Sequence, residues 1–210
     1  MTLIKDPYAS KIFLDMDFGY GRGATLLDKS SFHTHMTHTS STWTLGVHEW
    51  SLVLANPCNI TLPATNTQID FTSEDFSVVA KIKPINLNNN IWLPANHTFN
   101  VSGWNFGCEA AGTLSATTYQ SGASQTSRST AEVTAGNWFT VGCSRAGTSI
   151  RLYVNGVDVT DVVGTHINPA ARSDNTLFAS NSDVQIEFLH VFGGISLPIT
   201  AHAWYHNVLK

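Results

Sequence analysis

Carboxylate side chains are the first candidates for chemistry, because most glycoside hydrolases cleave sugars with a pair of carboxyl groups, in retaining enzymes about 5 Å apart. Alternate residues of a strand share one face, so two acidic residues at positions i and i+2 could form such a pair. Asp15 and Asp17 are the only acidic residues with this spacing, and they lie near the start of the chain. No nucleophile-elbow, zinc-protease or nucleotide-binding signature is present. The sequence therefore favours a protein without catalytic activity.

Histidine side chains form the second candidate group, since His33, His35 and His38 lie close together, with His48 further on. In an extended segment, His33 and His35 project to one face, a spacing that can bind a transition metal. A polar surface loop that happens to contain several histidines is the alternative. We favour the loop.

Aromatic side chains form the third group, because Trp and Tyr rings can stack on the apolar face of a sugar ring. Most tryptophans of a domain this size nevertheless pack in its core. Trp92 lies beside an Asn-rich turn, and Trp138 alternates away from the apolar face of its strand. Together with Trp104, they are the candidate ligand-binding residues. The wider set of aromatic candidates is Trp43, Trp50, Trp92, Trp104, Tyr119 and Trp138.

Composition and charge limit the class of partner. The chain has 210 residues and a formal net charge of −4, and its 11 basic residues are scattered, which argues against nucleic acid. No apolar run approaches the roughly 20 residues of a membrane span, and the first ten residues lack a signal-peptide pattern. Charged residues make up 12% of the chain, about half the usual ~25%. Ser, Thr and Asn take their place, which favours strands and a neutral surface.

The elements that must position these residues are strands, and the clearest lie between residues 136 and 161. Phe139, Val141 and Cys143 alternate with polar residues and Gly142, which is typical of a strand with one face buried. Asn155-Gly156 between two apolar stretches predicts a hairpin, since a type I′ turn needs positive φ at both central positions. Similar strands recur along the chain, and a short helix is predicted over 197–209.

Several of these stretches resemble the concanavalin A-like lectin/glucanase superfamily, and within it the laminin G-like jelly-roll modules. The segments 137–141 and 150–157 are similar to the family's "W-x-h-v … l-Y-v-N-G" core. The segment 76–84 is similar to its "F-T-x-x-x-W-v-K-P" strand, with Ala80 where Trp is usual. Further similarities lie in the segments 13–21, 27–30, 186–192 and 195–197. The resemblance implies an all-β, two-sheet antiparallel sandwich, a single domain over residues 1–210.

The resemblance also has consequences for sites. The glucanase branch places its acids on one strand as E-x-D-x-E, and this motif is absent. The lyase branch uses a Q-[IV]-H strand, which Gln185-Ile186-Glu187 matches only in part. Members often carry one structural calcium ion, and by resemblance its ligands here would include Asp17 or Asp28, and Glu187. Asp28 before Ser30 could instead form an Asx-turn. No other cofactor is implied.

The three cysteines match no zinc pattern, and an odd number is poor evidence for a disulfide framework. Cys108 and Cys143 could pair across neighbouring strands, or they could remain buried free thiols.

The sequence therefore predicts a non-catalytic, lectin-like binding or structural module. It could bind glycans, or it could assemble with other protein subunits or with itself as a virion decoration, fibre or cell-surface component. The alternative is a glycoside hydrolase or polysaccharide lyase of the same fold, which would need convergent acids in a groove.

Overall fold

The computed structural model describes residues 6–18, 23–47, 50–55, 58–63, 67–172, 176–180 and 183–208. Strands dominate it, with a short 3-10 helix at Ala9–Lys11 and one α-helix near the C-terminus. The elements are β1 Ile12–Asp17, β2 Thr25–Leu26, β3 Met36–His38, β4 Ser41–Leu45, β5 Trp50–Leu54, β6 Cys58–Thr61, β7 Phe76–Pro84, β8 Ile91–Thr98, β9 Ser102–Cys108, β10 Thr113–Gln120, β11 Ala123–Ala131, β12 Phe139–Ala146, β13 Ser149–Val154, β14 Val157–Asp158, β15 Thr160–Val162, β16 Thr176–Ser180, β17 Val184–Gly193 and α1 Ile199–Val208.

Two antiparallel sheets face each other. Sheet A has the order β14-β13-β12-β7-β17-β5-β4, and β1 pairs with β17 beside β5. Sheet B has the order β15-β11-β10-β9-β8-β16-β6-β3-β2. The non-sequential neighbours, such as β7 between β12 and β17, are typical of a jelly roll rather than a simple meander. The predicted two-sheet antiparallel sandwich is confirmed.

The main core lies between the sheets and explains the alternation in the sequence. Val141 and Cys143 from β12 pack there against Trp104 and Phe106 from β9, all with 1% or less of their surface exposed. Each of these side chains alternates with one that points to the opposite face of its sheet. No helix in the described part of the chain is long and apolar enough to cross a bilayer.

The outer face of sheet A is buried as well, because α1 packs on it. A second apolar cluster joins Val79, Phe188 and Phe192 of the sheet to Ala201 and Tyr205 of the helix. The sequence pattern assigned the non-core side of β12 to a polar face. That interpretation misses the helix, since alternation shows which residues share a face but not what lies over it.

Gly142 makes the close contact between β12 and the helix possible. A Cβ at this position would lie 2.7 Å from the His202 ring and 2.7 Å from the carbonyl oxygen of Val78. Without that Cβ, the His202 ring stacks on Tyr153 at a centroid distance of 3.9 Å. His202 Nε2 also lies 2.8 Å from Ser144 Oγ, which fixes the ring in a polar contact beneath the helix.

We predict that Gly142→Ala lowers the free energy of unfolding by about 1–3 kcal/mol, the usual cost of overpacking a close contact. Urea denaturation of the purified variant measures this loss. Ala146→Ser at the exposed end of the same strand serves as the control and should remain within about 0.5 kcal/mol of the wild type. Equal stability of Gly142→Ala and the wild type would contradict the proposed contact.

Candidate functional site: the open face of sheet B

The outer side of sheet B differs from that of sheet A because α1 packs on β12 and β14, both in sheet A. Trp104, Phe106 and Cys108 of β9 point into the core, so Asn105 and Gly107 point outward. Leu114 and Ala116 of β10 also point inward. We call the outward side of β8 to β11 the open face; its residues are Trp92, His97, Gly103, Asn105, Gly107, Ser115, Thr117, Tyr119, Ser124, Thr126 and Arg128.

Aromatic rings occupy one end of the open face. His97 stacks on Tyr119 with a centroid distance of 4.7 Å and an interplanar angle of 14°. Trp92 meets His97 edge to face at 6.5 Å, and Phe99 lies 5.8 Å from Tyr119. Phe99 is 71% exposed, and Trp92 and His97 are half-buried, so parts of these rings face solvent.

Polar groups lie directly beside the rings. Asn105 Nδ2 donates a hydrogen bond to Tyr119 Oη at 3.0 Å. Asn105 Oδ1 and Ser115 Oγ are buried and have no hydrogen-bond partner in the described part of the protein. Burial raises the pKa of Tyr119, so its phenol is neutral at ordinary pH. The face therefore contains a neutral phenol beside an amide oxygen and a hydroxyl that lack partners, and all three residues are buried.

Local backbone features bring these groups together. Gly103 has φ +80°, and a Cβ there would lie 2.0 Å from the carbonyl oxygen of Asn96. A Cβ on Gly107 would lie 2.1 Å from the carbonyl oxygen of Ile91. Ala170 bridges the ends of β9 and β10, because it accepts from Gly103 N at 2.8 Å and donates to the carbonyl of Tyr119 at 3.0 Å. Glycine at both positions keeps β8 and β9 in close contact.

The open face carries almost no charge. Arg128 is its one charged residue among those described, and its Nε lies 3.2 Å from Glu109 Oε1. Thr117 and Thr126 hydrogen-bond each other across β10 and β11 at 3.0 Å. Such a surface can stack on a sugar and exchange hydrogen bonds with it, but it offers no pair of carboxyl groups for acid–base catalysis.

The three predicted ligand-binding tryptophans have different environments. Trp104 has no exposed surface, its ring centroid lies 4.4 Å from that of Phe76, and its indole N–H donates to the carbonyl of Ile69 at 2.9 Å. The prediction that Trp104 contacts ligand is wrong, because its ring is part of the core. Trp92 lies on the open face, whereas Trp138 is half-buried just before β12 in sheet A.

The three predicted calcium ligands already have other partners. Asp28 is 1% exposed and accepts from the backbone N–H groups of Asp15, Ser30 and Thr34, at 2.8–2.9 Å, and from the Ser30 hydroxyl at 2.8 Å. Its bond to the N–H of Ser30 forms an Asx-turn. Asp17 pairs with Lys29. Glu187 pairs with Lys81 at 3.2 Å, and both side chains are buried.

These carboxylates do not fit a calcium site. Calcium needs six to eight oxygen ligands, and oxygens that already accept N–H groups or face a lysine are poor ligands for a second cation. Within the described ranges, no group of three or more His, Cys, Asp or Glu residues is close enough to hold a metal ion.

The histidine segment is organised by local hydrogen bonds. The rings of His33 and His35 are exposed and 6.4 Å apart. His35 Nδ1 accepts from the backbone N–H of Asp28 at 3.2 Å, and His38 Nε2 lies 2.9 Å from the carbonyl oxygen of Gly23. His48 lies outside the described residues.

The two strand cysteines are free thiols. Cys108 lies in sheet B and Cys143 in sheet A, so they are not on neighbouring strands. Burial raises the pKa of the Cys108 thiol to about 12 and raises that of Cys143 as well, so neither is a reactive thiolate.

Two further groups have residue types that occur in catalytic sites, but their side chains are buried. Ser144 of β12 and His202 of α1 are within hydrogen-bond distance, but both are 2% exposed or less, between the sheet and the helix. Gln185 of the partial lyase motif donates to Ser51 Oγ at 2.6 Å and to the carbonyl of Leu45 at 2.9 Å. These contacts hold strands and helix together, and a polymeric substrate cannot reach them.

A family model described as "Concanavalin A-like lectin/glucanases superfamily", of the laminin G type, matches residues 59–193. The matched segment is more than half of the chain. The chain belongs to this superfamily. None of the curated protein sequences matches it significantly.

Solved structures with a similar fold match almost the whole chain. The binding domain of Paraclostridial Mosquitocidal Protein 1 has a TM-score of 0.77 at 13% identity, with 96% of this chain and 53% of that chain covered. The binding domain of botulinum neurotoxin serotype C1 has a TM-score of 0.72 at 16% identity, with 97% and 53% covered. The binding domain of botulinum neurotoxin DC, in complex with rat synaptotagmin II, has a TM-score of 0.72 at 18% identity, with 97% of this chain and 52% of that chain covered. The chain thus spans about half the length of these structures.

The sequence predicts only some of the residues that form the open face. Trp92 and Tyr119 were among the aromatic candidates, but Asn105, Ser115 and His97 were not. The alternation of Asn105 and Gly107 with three apolar residues in β9 could have assigned both to an outward face. No sequence signal shows that Ser115 Oγ lacks a partner.

Two buried histidines predict how stability depends on pH. His166 is held by Thr118 Oγ1 at 3.0 Å and Ser127 Oγ at 2.9 Å, and burial lowers its pKa to about 4. Burial also lowers the pKa of His202 to about 3. Because the unfolded chain binds these protons near pH 6.5 and the folded chain does not, stability decreases as pH falls from about 6.5 to about 4.

Thermal melting across this range measures the decrease. The pKa values of Asp15 and Glu74 are also lowered. These carboxylates add to the loss of stability only below about pH 4.5, the range in which carboxyl groups ordinarily bind protons. His166→Asn should be less stable and lose less stability on acidification, whereas exposed His33→Asn should follow the wild type. A melting temperature that stays constant between about pH 6.5 and 4.5 would contradict this assignment.

Proposed function

We propose that this chain is a non-catalytic module that binds a glycan on the open face of sheet B. The observation that carries the proposal is the arrangement of partly exposed aromatic rings beside buried polar atoms without partners. Trp92 and His97 supply the partly exposed rings, and Asn105 and Ser115 supply the polar atoms. Tyr119 stacks on His97 but is itself only 4% exposed. Sugars are bound through this combination of stacking on the ring and hydrogen bonds to its hydroxyl groups.

The comparisons support a binding role in general terms. The similar structures named above are all described as binding domains. Another similar structure is of botulinum neurotoxin type C, whose cell entry is described as dependent on interaction with two ganglioside molecules. A further one is the binding domain of botulinum neurotoxin DC in complex with SialylT. Because the chain spans about half of each, the matched half need not be the half that binds. The open face supplies the argument for this chain itself.

A role in assembly with other protein subunits has separate support. Leu45, Val47 and Trp50 are 71%, 48% and 42% exposed, at the ends of β4 and β5 on one edge of sheet A. Exposed apolar side chains in one region are typical of contacts between subunits. We propose that the module is displayed on a virion or cell surface through this edge, with the open face free for ligand.

We predict that Trp92→Ala and Tyr119→Ala each weaken glycan binding by about tenfold or more, as loss of a central aromatic contact usually does. A glycan array identifies the ligand, and calorimetric titration then measures the affinity of each variant. EDTA should leave the affinity unchanged, since the predicted calcium ligands already have partners.

Trp138→Ala is the matched control, because it removes a half-buried tryptophan that lies just before β12 and away from the open face. It should bind like the wild type. Loss of binding in Trp138→Ala with normal binding in Trp92→Ala would move the site to sheet A. If the wild-type protein binds no glycan on the array, the proposed function is contradicted.

A further inference from the structure

We infer that the glycan recognised by the open face is neutral rather than sialylated; this inference rests on the proposed function and adds the class of ligand. The evidence is the lack of free positive charge on the face. Among its described positions, only Arg128 is charged, and Arg128 is already paired with Glu109 at 3.2 Å. All other members are Trp, Tyr, His, Gly, Asn, Ser or Thr.

A sialic acid carries a carboxylate, and taking that charge out of water requires an opposite charge or several N–H donors aimed at it. The open face does not provide this. Asn105 directs its amide N–H toward Tyr119 Oη and leaves Oδ1 without a partner. An acceptor oxygen repels a carboxylate, whereas it attracts the hydroxyl or acetamido N–H of a neutral sugar.

The second polar atom without a partner supports the same conclusion. Ser115 has no exposed surface, and its Oγ lies opposite Gly107 on the outward side of the sheet. A buried hydroxyl without a partner is costly, and a ligand hydroxyl can supply the missing bond. Two such atoms on adjacent strands, Asn105 Oδ1 and Ser115 Oγ, form a pair that a hydroxyl-rich ring can satisfy.

The experiment compares matched glycans that differ only in sialic acid, with N-acetyllactosamine and its α2,3-sialylated form as the probes. Calorimetric titration of the full chain should show that the sialylated form binds about tenfold more weakly or worse, the effect of an unpaired charge at a neutral site. Equal or tighter binding of the sialylated form overturns the inference but leaves the proposed function intact. Failure of both probes to bind overturns the inference, while the array result separately decides the proposed function.

Ser115→Ala tests the hydroxyl itself. This variant should bind the neutral probe about three- to tenfold more weakly, the usual effect of one hydrogen bond. Its melting temperature should stay the same or rise, because the removed hydroxyl makes no bond within the protein. If Ser115 had only a structural role, Ser115→Ala would instead lower the melting temperature and leave the affinity for the neutral probe unchanged.

Ser51→Ala is the matched control for that structural behaviour. Ser51 is equally buried, but it donates to the carbonyl of Thr44 and accepts from Gln185 in sheet A. It should lose stability and keep its affinity for the neutral probe. Wild-type affinity in Ser115→Ala would overturn the inference.

Discussion

The packing of α1 on the outer face of sheet A is the constraint on which the rest of the structure depends. It requires a gap at Gly142, which the His202 ring fills while it stacks on Tyr153 and contacts Ser144. Since the helix covers this side, the polar residues there serve to hold the helix rather than to meet a ligand. The helix does not cover the outer face of sheet B, where Trp92 and His97 are half-buried and Phe99 is exposed.

The fold could be predicted from the sequence because its evidence is local and repeated. The alternation around Val141 and Cys143, the Asn155-Gly156 turn and the helix near the C-terminus each follow from spacing and turn chemistry. Where the helix docks could not be predicted in this way. Its contacts with β12 join residues about 60 positions apart, and their sequence pattern is that of an exposed polar face.

The candidate site was harder to predict because it depends on environment rather than residue type. Trp104 and Trp92 have the same side chain, yet one is sealed in the core by Phe76 and the other lies outward beside His97. The calcium hypothesis relied on three acids at the expected places. Hydrogen bonds to Asp28 and the lysine partners of Asp17 and Glu187 already occupy them. Partners of this kind depend on the three-dimensional arrangement, and composition does not reveal them.

The most direct test of the central claim is to map ligand contacts on the ¹⁵N-labelled protein by NMR during titration with the best-bound glycan. If the open face binds it, amide shifts will concentrate around Trp92, His97, Asn105, Ser115 and Tyr119. The amides of β12 and α1 on the opposite side will remain unchanged. Shifts centred on Trp138 or on the amides of β12 would contradict the claim and place the ligand elsewhere on the sandwich.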